Sequence, residues 1–341
     1  MVIKPINIQI RCPTRIDFTG GFTDVLPFRA THRVSHINAA IDLPVTVSLN
    51  VRADRIIHIE DRQDGLTKEY PSIAEVEDKY ALIKAALDDF SVKEGLNVVI
   101  DSKAPRGAGL GTSGALSVGL TAALTLLNKG NLPQKSTEIA VRAAQIEHKS
   151  GVLGGLQDQF AATTGGLNTF RFYKSEYSIN PIVFSAKQIR GLEQHLFIIY
   201  PGGKRRSTDL VTSVMDEFRK GKKEVEWALM DLNLLADDVG KALQELDLQK
   251  LSNLLSRVRE AQLKLNHRLA DDKNRKVIKA LRRAGINGIK LLGGGGSRSC
   301  LLVLCTHASE HQTVRSITQA HKARIIPVHF SRKGMIINNK K

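Results

Sequence analysis

Cysteine, aromatic residues and acidic charge are all scarce in this 341-residue chain, and each shortage excludes something. Three cysteines, Cys12, Cys300 and Cys305, cannot by their spacing make a disulfide framework or a zinc site, so free, mostly buried thiols are expected. Aromatics are only 5% of the residues, with no stacking platform and no zinc-finger spacing, which counts against a nucleic-acid partner. No apolar run approaches the ~20 residues of a membrane span, and the opening MVIKPINIQI lacks a signal-peptide pattern. A cytoplasmic protein with no membrane partner is the expectation.

The acidic deficit is the largest bulk departure. Asp and Glu number 34 against 50 Lys and Arg, a formal net charge of +16. Such a charge attracts anions. The basic residues are spread along the chain, apart from short groups such as Lys204, Arg205 and Arg206, so a surface favouring small anionic molecules accounts for them with fewer assumptions than a nucleic-acid groove. The length allows two domains, since single cores stop growing near ~250 to 300 residues.

What is present centres on APRGAGLGTSGALSVGL, residues 104–120. A short β-branched run at 97–100 precedes it, and a helix-like run at 113–127 follows. A strand that delivers a glycine turn onto a helix N-terminus gathers unpaired N–H groups and the positive end of the helix dipole, which makes an anion site. Thr112 and Ser113 put two hydroxyls at the helix start, where they can cap it, touch phosphate or hold a phosphate-bound metal. A glycine turn that merely relieves crowding remains the competing reading. No Gly-Lys-Ser/Thr follows, so this is not a Walker A loop.

Around that centre the pattern is mixed. Residues 6–12, 44–51 and 54–61 read as strands, 72–90 as an amphipathic helix, 136–149 as another helix, and 165–172 and 179–184 as strands. Residues 195–200 read as a strand followed by a basic glycine turn at 202–206. Residues 209–283 are helical throughout, with leucines at i, i+3 and i+4. The remainder alternates: strand 288–292, glycine run 293–296, strand 300–305, helix 309–321, strand 324–330. An α+β chain with a small antiparallel layer at its C-terminal end is the fold these patterns give.

Two further places carry chemistry. In RCPTRIDFTGGFTDVLPF, residues 11–28, Gly20 and Gly21 break a strand pattern while Arg15, Asp17 and Asp24 cluster beside them. In QIEHKSGVLGGLQDQ, residues 145–159, Glu147 and Asp158 sit on neighbouring helices joined by a glycine turn. Spacing alone leaves both acids as ordinary solvated residues.

The 104–120 stretch resembles the second motif of the GHMP kinases, usually Pro-x-x-x-Gly-Leu-Gly-Ser-Ser, with Pro105, Gly109, Leu110, Gly111, Thr112 and Ser113 in place. Gly114 stands where the family often has Ala or Ser. Pro13, Arg15 and Asp24 keep the spacing of the family's first motif, in a form similar to the heptose-phosphate kinase and fucokinase branch. Gly155, Asp158 and Gln159, with Glu147 upstream, resemble the Gly-x-x-Asp-Gln segment of galactokinase-like and heptose-kinase-like enzymes. KLLGGGGSRS, residues 290–299, resembles the third, glycine-rich motif, with Ser297 and Arg298 where further glycines are usual.

The resemblance implies a two-domain fold, a ribosomal protein S5 domain 2-like N-terminal domain (1–188) that binds ATP and a ferredoxin-like C-terminal domain with extra helices (189–341). It implies a magnesium- and ATP-dependent kinase acting on the anomeric hydroxyl of a sugar or sugar phosphate. D-glycero-D-manno-heptose 7-phosphate is the leading acceptor, an L-fucokinase-like activity the close alternative, and a non-catalytic sensor or nucleic-acid binder stands behind both. Pro105, Arg106, Gly107, Ala108, Gly109, Leu110, Gly111, Thr112 and Ser113 would hold ATP, and Ser113 with Glu147 the Mg2+. Asp158 would orient or deprotonate the acceptor and Arg15 offset charge on the transferred phosphoryl group. Asp24, Gly20, Gly21, Gln159, Gly294, Gly295 and Arg206 would meet the substrate. A carboxylate between an arginine and magnesium should titrate low, which favours an orienting role for Asp158. The oligomeric state is left open, a homodimer being one option.

Overall fold

In a computed structural model the described residues are 7–202, 210–296 and 299–338. The first sheet is built on β1 (Asn7–Asp17) and β2 (Val34–Arg52), with β3 (Ile57–Asp61), β4 (Leu66–Tyr70), β5 (Gly95–Ser102), β6 (Leu167–Tyr173) and β7 (Glu176–Pro181). Its main path runs β4-β3-β5-β2-β1, and β6 with β7 branches from the first half of β2. All these pairings are antiparallel except β3 with β5. Pro13 and Pro44 carry no N–H to donate, and the β1–β2 register slips between Cys12 and Thr14, opposite the stretch from Ile41 to Val45. Thr14 Oγ1 stitches that bulge by donating to the Leu43 carbonyl at 2.9 Å. Beyond the bulge β1 stays paired with β2 through Asp17, opposite Asn38.

α1 (Phe28–Thr31) packs on β6, while α2 (Ala81–Asp89), α3 (Thr112–Lys129), α4 (Ser136–Lys149) and α5 (Gln157–Thr164) pack on one another, with α3 and α5 against β1 and β2. Nearly every residue of α3 from Gly114 to Thr125 is buried, so it is apolar all round rather than amphipathic. Its buried hydroxyls return to the helix itself: Thr121 to the Ser117 carbonyl and Thr125 to the Thr121 carbonyl.

The remaining elements are α6 (Ala186–His195), β8 (Leu196–Tyr200), α7 (Leu210–Arg219), α8 (Lys223–Glu245), α9 (Leu248–Leu265), α10 (Asp272–Arg283), β9 (Gly288–Leu291), β10 (Leu301–Leu304), α11 (Glu310–Ala320), β11 (Arg324–Ile326) and β12 (Ile336–Ile337). A second, antiparallel sheet is ordered β11-β8-β10-β9. β12 returns to pair with β1, Ile10 opposite Ile337. One buried cluster runs from Ile16 and Phe18 of the first sheet through the leucines of α8 and α9 to Leu301 and Val303 of the second.

Three expectations shift. The 72–90 pattern is realised as two 3-10 turns followed by α2, with Val76, Tyr80, Ile83 and Leu87 buried as the pattern requires. A three-residue step is also the period of a 3-10 helix, so periodicity could not separate the two. The strand expected over 179–184 lies earlier and ends at Pro181. The strand expected over 324–330 stops at Ile326, before Pro327, and Phe330 then makes an isolated bridge to Ile41.

Candidate active site

The glycine turn before α3 has the geometry of an anion cradle. Gly107, Gly109 and Gly111 all have positive φ, at 70°, 76° and 75°. Gly111 is the N-cap of α3, no side chain caps the helix, and its first turn has no acid, so its leading N–H groups are available to an anion. These glycines, Thr112 and Ser113 line a cavity of about 380 Å³ with Arg15, Asp158, Gly293, Gly294 and Gly295. At Gly109 a Cβ would lie 2.1 Å from the Leu292 carbonyl oxygen, so the third glycine run packs directly on the cradle. Cys300 N donating to the Ala108 carbonyl at 2.9 Å ties the two together.

Arg15 reaches the site from the end of β1. It donates from Nε to Asp158 Oδ1 at 2.8 Å, lies 2.7 Å from the same oxygen through Nη2, and gives Nη1 to the Gly109 carbonyl at 2.5 Å. Its own backbone N–H donates to the Leu110 carbonyl. Arg15 thus fastens the cradle to the N-terminus of α5. Burial is the largest influence on the Asp158 carboxyl and raises its pKa; Arg15 pulls the other way, and Asp24 and Asp17 reinforce the rise. Without a metal, burial and two neighbouring acids outweigh one arginine; the low titration expected of Asp158 beside magnesium is a separate matter.

Glu147, on α4, is 6% exposed, and burial pushes its carboxyl up to about 7 against hydrogen bonds from Ser113 and Gln159. One carboxylate and one hydroxyl at a phosphate cradle suit a hard cation that takes its other ligands from phosphate and water. Among the described residues no group of three His, Cys, Asp or Glu could hold a metal by itself.

Two residues expected to meet the substrate lie behind the cavity wall. Gln159 is fully buried and donates Nε2 to Glu147 Oε2. Asp24 is 1% exposed, and its Oδ2 accepts from the backbone N–H groups of Leu156 and Gln157 at 2.8 and 2.9 Å. Leu156 is the N-cap of α5, so Asp24 caps the helix that carries Asp158 from 132 residues away. Gly20 and Gly21 lie at the same junction: the Gly20 carbonyl accepts from Gln262 Nε2 at 3.1 Å, and a Cβ at Gly21 would lie 3.9 Å from the Gly293 carbonyl oxygen. Pro105 and Ala108 shape the cradle, joined by the hydrogen bond from Ala108 N to the Pro105 carbonyl. The Arg106 side chain is held at 2.6 Å by buried Asp61 and at 3.0 Å by Asp64. Arg206, the neighbouring Lys204 and Arg205, the expected cap at Ser207 or Thr208, and Ser297 and Arg298 lie outside the described residues.

Sequence reasoning missed Asp61, Lys290 and Gln262. Gln262 had a visible signal. It is a polar residue on the apolar stripe of α9, four after Val258, and it is fully buried between the Gly20 and Leu291 carbonyls.

Residues 79–166 match the family described as GHMP kinases N terminal domain. Residues 79–166 thus carry a GHMP kinase N-terminal domain. The chain is 28% identical over 301 residues to D-glycero-alpha-D-manno-heptose 7-phosphate kinase of Campylobacter jejuni, covering 85% of this chain and 87% of that one. It is 24% identical over 341 residues to the bifunctional fucokinase/GDP-fucose pyrophosphorylase of Arabidopsis thaliana, covering 94% of this chain but only 32% of that protein's length. A solved D-glycero-D-manno-heptose 1-phosphate kinase from Bacteroides thetaiotaomicron superposes with a TM-score of 0.75 at 22% identity, covering 98% and 99% of the two chains. Lactococcus lactis galactokinase complexed with galactose also superposes with a TM-score of 0.75, at 17% identity over 97% and 95%. These superpositions show a shared fold. No described helix is long and apolar enough to cross a membrane.

Proposed function

We propose that this protein is a GHMP kinase that transfers the γ-phosphoryl group of ATP to the anomeric hydroxyl of a sugar or sugar phosphate. The observation that carries the reading is the Arg15–Asp158 contact at the rim of the glycine cradle, with Glu147 and Ser113 beside it. Phosphoryl transfer needs positioning and charge neutralisation more than covalent chemistry. Backbone N–H groups of residues 106–113 hold the ATP phosphates. Ser113 and Glu147 would hold Mg2+, which neutralises charge on the phosphates when bound. Asp158 receives or orients the acceptor hydroxyl through Oδ2, because both Arg15 contacts fall on Oδ1. Its raised pKa makes it a better proton acceptor than an ordinary aspartate. Arg15 stands where its remaining charge offsets that growing on the transferred group. Gly294 and Gly295 close the cavity from the opposite side and meet the substrate.

D-glycero-D-manno-heptose 7-phosphate is the leading acceptor, supported by the Campylobacter relative and by the net charge of +16, which favours a phosphorylated sugar. L-fucose is the alternative, supported by the Arabidopsis relative. We divide the chain into an ATP-binding domain, 1–188, and a C-terminal domain, 189–341, whose last strand returns to the first. The test is ADP release over a panel of sugars and sugar phosphates, beside a salt-dependent gel shift with DNA or RNA. Turnover on a heptose phosphate or fucose with Asp158→Asn dead and ATP binding kept supports the reading. Tight nucleic-acid binding without turnover, or near-normal activity in Asp158→Asn, overturns it.

A further inference from the structure

Asp17 and Lys290 are both fully buried and lie on different sheets, 273 residues apart. Lys290 donates from Nζ to Asp17 Oδ2 at 2.7 Å and to the Asp17 carbonyl at 2.8 Å. The same carboxylate accepts from Gly20 N at 3.0 Å, and from Gly293 N at 3.4 Å, so it joins the first glycine pair to the third glycine run. A buried ion pair is a weak source of stability, because desolvating two charges offsets their attraction. Here its position relative to Arg15 gives it a different use. Arg15 stands two residues before Asp17 on β1, so both side chains leave the same face of the strand. Arg15 therefore has three carboxylates in its field, Asp158, Asp17 and Asp24, of which Asp24 is engaged by the N–H groups at the start of α5. It is bonded to Asp158, while Asp17 is engaged by Lys290.

We propose that Lys290 is a positioning residue for phosphoryl transfer: by engaging Asp17 it leaves Arg15 to Asp158 and the cradle. Lys290 touches neither nucleotide nor sugar. It acts through a competition between two acids for one arginine. The inference rests on the kinase reading above, and the two fail separately. Absence of turnover in the unaltered protein sinks that reading, whereas this inference is judged only on variants of an active protein.

The two halves of the pair should behave oppositely. Lys290→Met removes the charge at similar length and leaves Asp17 a buried anion whose remaining cation is Arg15. Drawing Arg15 away from Asp158 should lower kcat about tenfold or more, with KM for ATP and sugar within about threefold. Asp17→Asn removes the competitor and keeps an acceptor for Gly20 N, so kcat should stay within about threefold, Lys290 shedding its proton when buried alone. The double variant Asp17→Asn/Lys290→Met should recover kcat to within about threefold of the unaltered protein, a coupling that independent structural losses would not produce. Equal losses in the two single variants, or a double variant as slow as Lys290→Met, would overturn the proposal. Thermal unfolding of each variant registers the structural cost separately. If Lys290→Met does not fold, Lys290→Gln takes its place; failure of both beside a folded, active Asp17→Asn assigns the pair to stability alone and overturns the proposal.

Discussion

Replacing Asp24 decides between two roles that the same carboxylate could fill. The resemblance to sugar kinases makes it a grip on sugar hydroxyls, whereas its geometry makes it the cap of α5. In the protein its Oδ2 accepts two backbone N–H groups at the start of that helix, and its exposure is 1%. Asp24→Ala orphans one buried and one part-buried donor at about 1–3 kcal/mol each, so a stability loss of roughly 2–6 kcal/mol is expected. Asp24→Asn keeps an acceptor oxygen and loses the charge that faces the helix dipole, about 1 kcal/mol. Asp158 is the second residue of α5, so a displaced helix start moves the group that faces the acceptor hydroxyl. Displacement on the order of 1 Å at a reacting centre can cost 10²-fold. We expect Asp24→Asn to fold, to lose between about tenfold and a hundredfold in kcat, and to keep the sugar KM within about threefold. Urea unfolding gives the stability term, and steady-state ADP release at varied sugar gives the split between kcat and KM. A large rise in sugar KM with kcat retained would refute the capping argument and return Asp24 to the sugar.

The other predictions are more local. Gly109→Ala puts a methyl group 2.1 Å from the Leu292 carbonyl oxygen at a residue with φ of 76°, and should cost about 1–3 kcal/mol and raise the ATP KM roughly tenfold; an unchanged ATP KM would show that the third glycine run need not close on the cradle. Burial holds the Cys12 and Cys300 thiols far above the usual range and pushes Cys305 up to about 12, helped there by Glu310. None should react quickly with Ellman's reagent at pH 8 in the folded protein and all three should react in urea, and one fast equivalent in the native state would contradict this. Burial acts upward on the Asp17 carboxyl, but Lys290 and Arg15 overcome it and hold its pKa below the ordinary 3.8. A depressed acid contributes stability above its unfolded pKa and loses it as pH falls through the folded value, so the stability gap between the parent and Asp17→Asn should be full near neutrality and close below 3.8. A gap independent of pH would mean that Asp17 is not ionised in the folded protein.

The cradle was legible in the sequence because its chemistry is local: glycines, two hydroxyls and a helix start lie within ten residues. Arg15 and Asp158 were legible only through the family pattern, since nothing local announces a contact across 143 positions. The upward pull on the Asp158 carboxyl was not legible for the same reason: it depends on burial and on Asp24 and Asp17, which the fold supplies. Asp24 shows the limit from the other side. An acid in a motif is visible, but whether its oxygens face a cavity or the N–H groups of a helix 132 residues away depends on the packing of Gly155, where a Cβ would lie 2.0 Å from the carboxylate. In the helical region the leucine pattern gave the core correctly, and the useful exception was the glutamine within it, Gln262.

The return of β12 to β1 orders the events of the protein's synthesis. Ile10 finds Ile337 as a partner, Asp42 N donates to the His329 carbonyl, and Asp17 waits for Lys290. Domains fold progressively as a chain leaves the ribosome, at about 5–20 residues per second. Here β1 is completed by β12, so a nascent chain extending no further than residue 289 has its cradle but neither the Lys290 ammonium that engages Asp17 nor the strand that covers the edge of β1. Until β12 emerges, β1 presents an unpaired strand edge, the kind of edge that invites association with other chains.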